Sequence, residues 1–246
     1  MGPFIFFAIL SIIYTVIRYK VTDPQQGLIW GVVYICLLAI GMFFINLSVT
    51  KHMCGTTQPG TAIMVTAIPW TLIFGVTMLM LLAFPGWLAP FSNTFGYLVA
   101  KLAGLGVITD KIIAPKAVNK DTAAGVKAAS EALEQIYSDK ALLVNQITPS
   151  NFNAFWERMS KAGLFNKGAN EFKESLYNLV RLKNNVAELV WGLLAGGLAT
   201  SVSTSYIQNT ACEQSAKEMI ARHNQYEADA EKKSASAKKP RVYSMK

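Results

Sequence analysis

Residues 27–49 form 23 consecutive positions without a charge, and residues 61–84 form another 24. A backbone crossing hydrocarbon must pair its own N–H and C=O groups, so runs of this length fold as helices, and about 20 residues cross a core of about 30 Å. The rest of the composition follows the same division. Up to residue 100 the only charged residues are Arg18, Lys20, Asp23 and Lys51, whereas the remainder interleaves apolar and charged positions. The pattern predicts an all-α fold: a multi-span helical membrane protein with 3–4 transmembrane helices and a small helical extramembrane domain.

The predicted membrane domain is 1–105, with spans at about 3–18, 27–49 and 61–84. In the first, Arg18 and Lys20 follow the apolar run instead of preceding it, which favours a retained anchor over a cleaved signal. Gly27 and Gly31 open the second with a GxxxG spacing, two bare patches on one face where a neighbouring helix can approach. Pro69 falls inside the third, predicting a kink and a freed Val65 carbonyl that Thr66 is close enough to relieve. A kink serves either gating or packing, and a span without charge favours packing. Cys36 lies within an apolar run and is expected to be buried.

Two prolines, two glycines and several aromatics follow in residues 84–97. Trp87, Phe91, Phe95 and Tyr97 are expected at the headgroup level, in an interfacial elbow leading to an amphipathic helix at about 93–105, with re-entry into the bilayer as the rival reading. Residues 106–188 read as a helical extramembrane domain. One helix is capped at Asp121-Thr122 and runs to about Asn145. A second places Phe152, Phe155, Trp156 and Met159 on one face and ends at Gly163, and a third begins near Asn170.

Residues 189–207 are apolar and carry Gly192 and Gly196 at the GxxxG interval, yet also several serines and threonines. A fourth span is expected, with a buried soluble helix or an interfacial hairpin as the alternatives. Residues 208–246 form a basic tail, helical in propensity to Glu231 and then low in complexity. Lys232, Lys233, Lys238, Lys239 and Arg241 are its candidate contacts. If 189–207 spans, Cys54 and Cys212 share a side of the membrane and can in principle be bridged; otherwise they cannot. Arg18 and Lys20 place the first connection on the cytoplasmic side.

The chain carries a net charge of +8, spread along its length, which suits lipid headgroups or nonspecific phosphate contact without selecting between them. Chemistry is sparse. His52 and His223 are the only histidines, His52 and Cys54 alone do not make a metal site, and no phosphate loop, HExxH or GxSxG occurs. No span carries an ionisable group of the kind proton relays use, and Glu188 stands at the mouth of the last run as an interfacial carboxylate. The expectation is a non-enzyme without cofactor or metal, whose candidate partners are the lipid bilayer, other proteins and a second copy of itself, with nucleic acid ranked last.

The stretch Ile68-Pro69-Trp70 to Phe74-Gly75, followed by Phe84-Pro85-Gly86-Trp87 and Pro90-Phe91-Ser92-Asn93-Thr94-Phe95-Gly96-Tyr97, resembles virion membrane proteins of the large nucleocytoplasmic DNA viruses, the chlorella-virus group especially. It covers about residues 60–105. The resemblance implies a structural role: a membrane-spanning minor capsid protein that anchors an internal or host-derived membrane to the capsid shell, with capsid proteins as partners. A small channel or transporter subunit is the alternative, and a lipid enzyme using His52 as base ranks third.

Overall fold

The computed structural model describes residues 2–113, 140–210, 212 and 216–237, and among them the fold is all-α. Helix α1 (Pro3–Lys20) and helix α2 (Pro24–Cys54) are joined by a three-residue turn. Each has proline at the first position, where the missing N–H costs nothing. Asp23 caps α2 by accepting from the Gln25 amide at 3.1 Å, and Gly55 ends it at φ 69°. At 31 residues α2 is longer than its charge-free run, so Lys51 and His52 emerge in its last turn. The third span comprises α3 (Pro59–Pro69), a π-helical stretch (Trp70–Gly75) and α4 (Val76–Ala83). With the helix through 169–209, four helices are long and apolar enough to cross a membrane, which marks an integral membrane protein.

Pro69 produces the predicted interruption, absorbed as the π-helical stretch immediately after it. The freed Val65 carbonyl is relieved differently from expectation. Thr66 bonds to Ala62 O at 2.7 Å within its own turn, and the donor facing Val65 O is Ser203 Oγ, 2.7 Å away on another helix. Ser203 Oγ also lies 2.9 Å from Ala199 O, so one proton is shared between its own helix and the neighbour. A serine that weakens the fourth span by composition thus docks it. Thr66 Oγ1 in turn accepts from Asn46 Nδ2 of α2 at 2.8 Å, tying α2 to α3.

The spine is helix α9 (Lys173–Asn209), one unbroken 37-residue element preceded by a 3₁₀ turn at Ala169–Phe172. It merges the predicted third extramembrane helix with the fourth span, and no boundary separates them. Phe7 of α1 is fully buried where three elements meet, edge-on to Trp70 and Phe74 and pressed against Gly196. A side chain at Gly196 would overlap the Phe7 ring, and one at Gly41 would overlap Phe6. The other glycine spacings do less. Gly27 has open space around it, Gly31 meets only the Tyr14 hydroxyl, and Gly192 only the tip of Met78.

The segment expected as an elbow, 84–105, is a chain of short helical turns packed along α9 and followed by a sharp bend, the geometry of a broken span or a re-entrant loop. A 3₁₀ turn (Pro85–Leu88), a helical turn (Ala89–Phe91), a π-helical turn (Ser92–Gly96) and α5 (Tyr97–Leu102) climb antiparallel along α9. Leu88 packs with Ala187, Phe91 meets Trp191, Gly96 abuts Lys183, and Ala100 joins Leu176 and Val180. Pro85 and Pro90 both fall in first turns, where they start helices instead of stopping them. After Gly104 (φ 101°) the chain turns by 85° into α6 (Leu105–Ile112).

The core cluster around residues 144–180 also takes in residues from before 105. Ala100, Leu105 and Ile112 pack with Val144, Ile147, Phe152, Trp156, Ala169, Leu176 and Val180, and Tyr97 lies against them. Helix α8 (Phe152–Lys161) buries Phe152 and Trp156 as its spacing predicts, and Gly163 at φ 66° closes it. Asn166 Nδ2 bonds to the Lys111 and Ile113 carbonyls, holding α6 beside this loop. Of the helix expected at 121–145 only α7 (Lys140–Asn145) is within the described residues. Helix α10 (Ala216–Ala237) extends the tail's helix beyond Glu231 and includes Lys232 and Lys233; Lys238, Lys239 and Arg241 lie outside the described residues.

Cys54 and Cys212 form a disulfide with Cα atoms 5.4 Å apart. The far ends of α2 and α9 are therefore at one end of the bundle, as a spanning 189–207 requires. Cys36 is free and exposed on the bundle surface, not buried as expected. Unreduced, denatured chain should take up one maleimide-polyethylene glycol per molecule, and reduced chain three, read as gel shifts. In detergent-resistance unfolding, Gly196→Val should cost about 1–3 kcal/mol by overpacking against Phe7, and Ser203→Ala about 1 kcal/mol for one interhelical bond.

Candidate functional site

Polar chemistry in the bundle gathers where α1 ends, α2 begins and α9 leaves the extramembrane domain. The last carbonyls of α1 have no partner within the helix. Arg181 of α9 supplies one, its Nη2 donating to Arg18 O at 3.0 Å and to Val21 O, while its guanidinium lies 5.8 Å from the Tyr19 ring centre. Two turns along α9, Glu188 pairs with Arg18 and accepts from Asn184 Nδ2 at 3.1 Å. The partner of Glu188 is thus the residue that closes the first span.

Beside this clamp opens a cavity of about 810 Å³. Its polar end is formed by Arg18, Asp23, Arg181, Asn184, Asn185 and Glu188, roofed by Pro149 and Tyr177 of the extramembrane domain. Its apolar wall descends along α2 through Leu28, Val32 and Ile35 and along α4 through Leu82 and Met78 to Phe74 of the π-helical stretch. The space exists because α2 packs on α3 at the disulfide end but not on α4 at the other. Tyr14 stacked on Tyr34 at 4.3 Å, with Tyr34 OH 2.9 Å from Ser11 Oγ, closes off the α1 side.

A second polar feature lies one turn above the clamp. Lys183 is only 1% exposed, and its Nζ donates to Val144 O at 2.9 Å and Asn93 Oδ1 at 3.1 Å, both neutral acceptors. Gly96 is required here because the Lys183 carbonyl occupies the space a side chain would take. Lys183 belongs to the extramembrane part of α9, and burial lowers its ammonium from the usual 10.5 to about 8. By joining α9, the π-helical turn and α7, it locks the domain onto the top of the bundle.

The sequence-predicted positions are scattered. Trp87 is exposed and gives its carbonyl to Trp191 Nε1 at 2.9 Å, Phe91 packs edge-on against Trp191, and Phe95 is exposed. Tyr97 is half-buried against the cluster around Phe152, Trp156 and Val180. The four GxxxG glycines do not converge. Lys232 and Lys233 are exposed on α10 beyond the disulfide end. Arg181, Lys183 and Asn185 were not singled out from sequence; the available signal was a cluster of polar residues directly before an apolar run on one proline-free helix.

Among the described residues no group of three or more His, Cys, Asp or Glu could hold a metal ion. His52 is exposed at the disulfide end of α2, across the bundle from Trp87, and His223 pairs with Glu227 at 3.2 Å within α10. The third span, Pro59–Ala83, separates His52 from the 85–97 segment along the chain. Comparison with known protein families, curated proteins and solved structures returns no match.

Because the folded-state value of Lys183 is below that of the free amine, the folded chain binds fewer protons than the unfolded one. The cost of the buried charge is fully present below about pH 8 and is relieved as pH rises toward 10.5. The melting temperature in detergent should rise by a few degrees between pH 7.5 and 9.5, and Lys183→Met should flatten that rise.

Proposed function

We propose that the chain is a structural membrane anchor that holds a small helical domain rigidly on one face of a bilayer. The observation that carries this reading is the continuity of α9. Its 37 residues, about 55 Å at 1.5 Å per residue, run from the core of the extramembrane domain through the bundle to the disulfide end, without a hinge. Lys183, the Arg181 clamp and the Arg18–Glu188 pair fix the domain at one end of the bundle. A load on the domain is transmitted to the membrane helices through packed side chains and not through a linker.

Within that role, a virion minor capsid component joining an internal, host-derived membrane to a protein shell is the specific reading, supported by the resemblance in residues 60–105. Capsid proteins would meet the charged outer face of α8, where Glu157, Arg158 and Lys161 are exposed. The basic Lys232 and Lys233 on α10 follow the disulfide and belong to the opposite end, so they serve a separate contact. Positive residues at the α1–α2 turn and a cystine at the other end agree on orientation: domain toward the cytoplasm, disulfide toward an oxidising compartment. The channel alternative has less to draw on, since Ser203 and Phe7 pin the interrupted third span where a gate would have to move.

Virus particles stripped of lipid with mild detergent should retain the chain on the shell, and charge reversal at Glu157, Arg158 and Lys161 together should release it. Shells that remain intact with none of the wild-type chain bound would overturn the virion reading.

A further inference from the structure

We infer that the cavity between α2, α4 and α9 is a binding site for one zwitterionic glycerophospholipid, with the headgroup at the Arg18–Arg181–Glu188 clamp and an acyl chain lying along α2 and α4. The inference rests on the chain being a membrane protein and is independent of any virion role.

Three observations converge on it. The first is shape. The cavity is polar at one end and apolar for the rest, and its apolar wall opens sideways: Leu28 is 73% exposed and Leu82 75% exposed at its lips. From Gly27 to Ile35 the groove descends about 12 Å along α2, a path for a hydrocarbon chain entering from the surrounding bilayer. At about 810 Å³ it falls within the range of small-ligand sites.

The second is unused hydrogen-bonding capacity. Asn185 is only 7% exposed, lines the cavity, and its Nδ2 has no partner. A buried amide donor left unpaired is costly, and a phosphate or ester oxygen in the polar end would satisfy it. Arg181 spends only its Nη2 group on the α1 carbonyls, and a guanidinium carries five N–H donors. The remaining donors are available to phosphate oxygens.

The third is charge. Arg18 and Arg181 are balanced by Glu188 and Asp23, so the polar end is neutral as a whole. An anionic headgroup would leave this neutral end with an uncompensated negative charge. A phosphate on the guanidiniums and an ammonium on the Asp23 and Glu188 side matches both signs, and the Tyr177 ring at the roof offers a further face to a cation. Such a lipid fills the gap left where α2 parts from α4, becoming part of the bundle's packing.

The test is native mass spectrometry of the full, disulfide-bonded chain released from detergent, titrated separately with dioleoyl-phosphatidylcholine and dioleoyl-phosphatidylglycerol. One phosphatidylcholine should be held above the random adduct distribution, with affinity about tenfold above that for phosphatidylglycerol. Gly31→Phe, which fills the groove from the α2 side, and Asn185→Leu, which removes the unpaired donor, should each lower that affinity about tenfold while the helical circular-dichroism signal and the disulfide persist. Only random adducts, an equal or stronger hold on phosphatidylglycerol, or unchanged binding in Gly31→Phe would overturn the assignment. Should either variant lose its helical signal, Val32→Trp supplies the groove-filling variant, and undiminished binding to it counts equally against the site.

Discussion

Inside a bilayer no water completes an unfinished hydrogen bond, and the arrangement of this bundle follows from that constraint. Pro69 frees the Val65 carbonyl in mid-span, and the carbonyl must find a donor from elsewhere in the protein. Ser203 provides it from α9. The bond fixes the height at which α9 stands against the third span, and with that height set, Gly196 comes opposite Phe7 and Ala199 lies buried in the same interface. Asn46 and Thr66 extend the same logic to α2. Polar residues in these helices thus act as register marks between helices otherwise held by nondirectional apolar contact.

Much of the architecture was legible because it follows from one-dimensional rules. Charge-free length gives the spans, proline and glycine positions give their starts and stops, and the 152–163 spacing gives α8 with its closing glycine. The misreadings share a physical cause: each depended on what stood opposite. In 84–97 the four prolines and glycines alone do not say what the segment packs against. Against a long α9 they become first-turn residues and a close-approach glycine, and the segment climbs. Gly41 and Gly96 carry tight contacts and have no partner glycine at the GxxxG interval, while Gly27 and Gly31 satisfy the motif and face open space or a hydroxyl.

The candidate site was the least legible part for the same reason. Arg181, Lys183, Asn184, Asn185 and Glu188 are five polar residues within eight positions, which by composition reads as a solvated helix face. Three different fates arise from the helical repeat. Arg181 and Glu188, seven residues apart, share the face toward α1 and bond to its end. Lys183 points toward α7 and the π-helical turn and is buried. Asn185 faces the cavity. Only the positions of the neighbouring helices distinguish these roles.

The two ends of the bundle are held by different chemistry, and the difference accounts for the opening between them. At one end a covalent bond joins α2 to the segment after α9, and Asn46–Thr66 and Ser203–Val65 hold α2, α3 and α9 at short range. At the other, Arg181 and Glu188 grasp α1, and among the described residues nothing comparable holds the start of α2 to α4. Helices fixed together at one end and tied to different neighbours at the other must diverge. The wedge between them opens toward lipid, is lined by apolar side chains along its length, and reaches the arginine clamp at its top. Pro149 and Tyr177 of the helical domain sit directly over that wedge. Filling the wedge with a bilayer lipid would couple the domain's seating to the membrane it is anchored in.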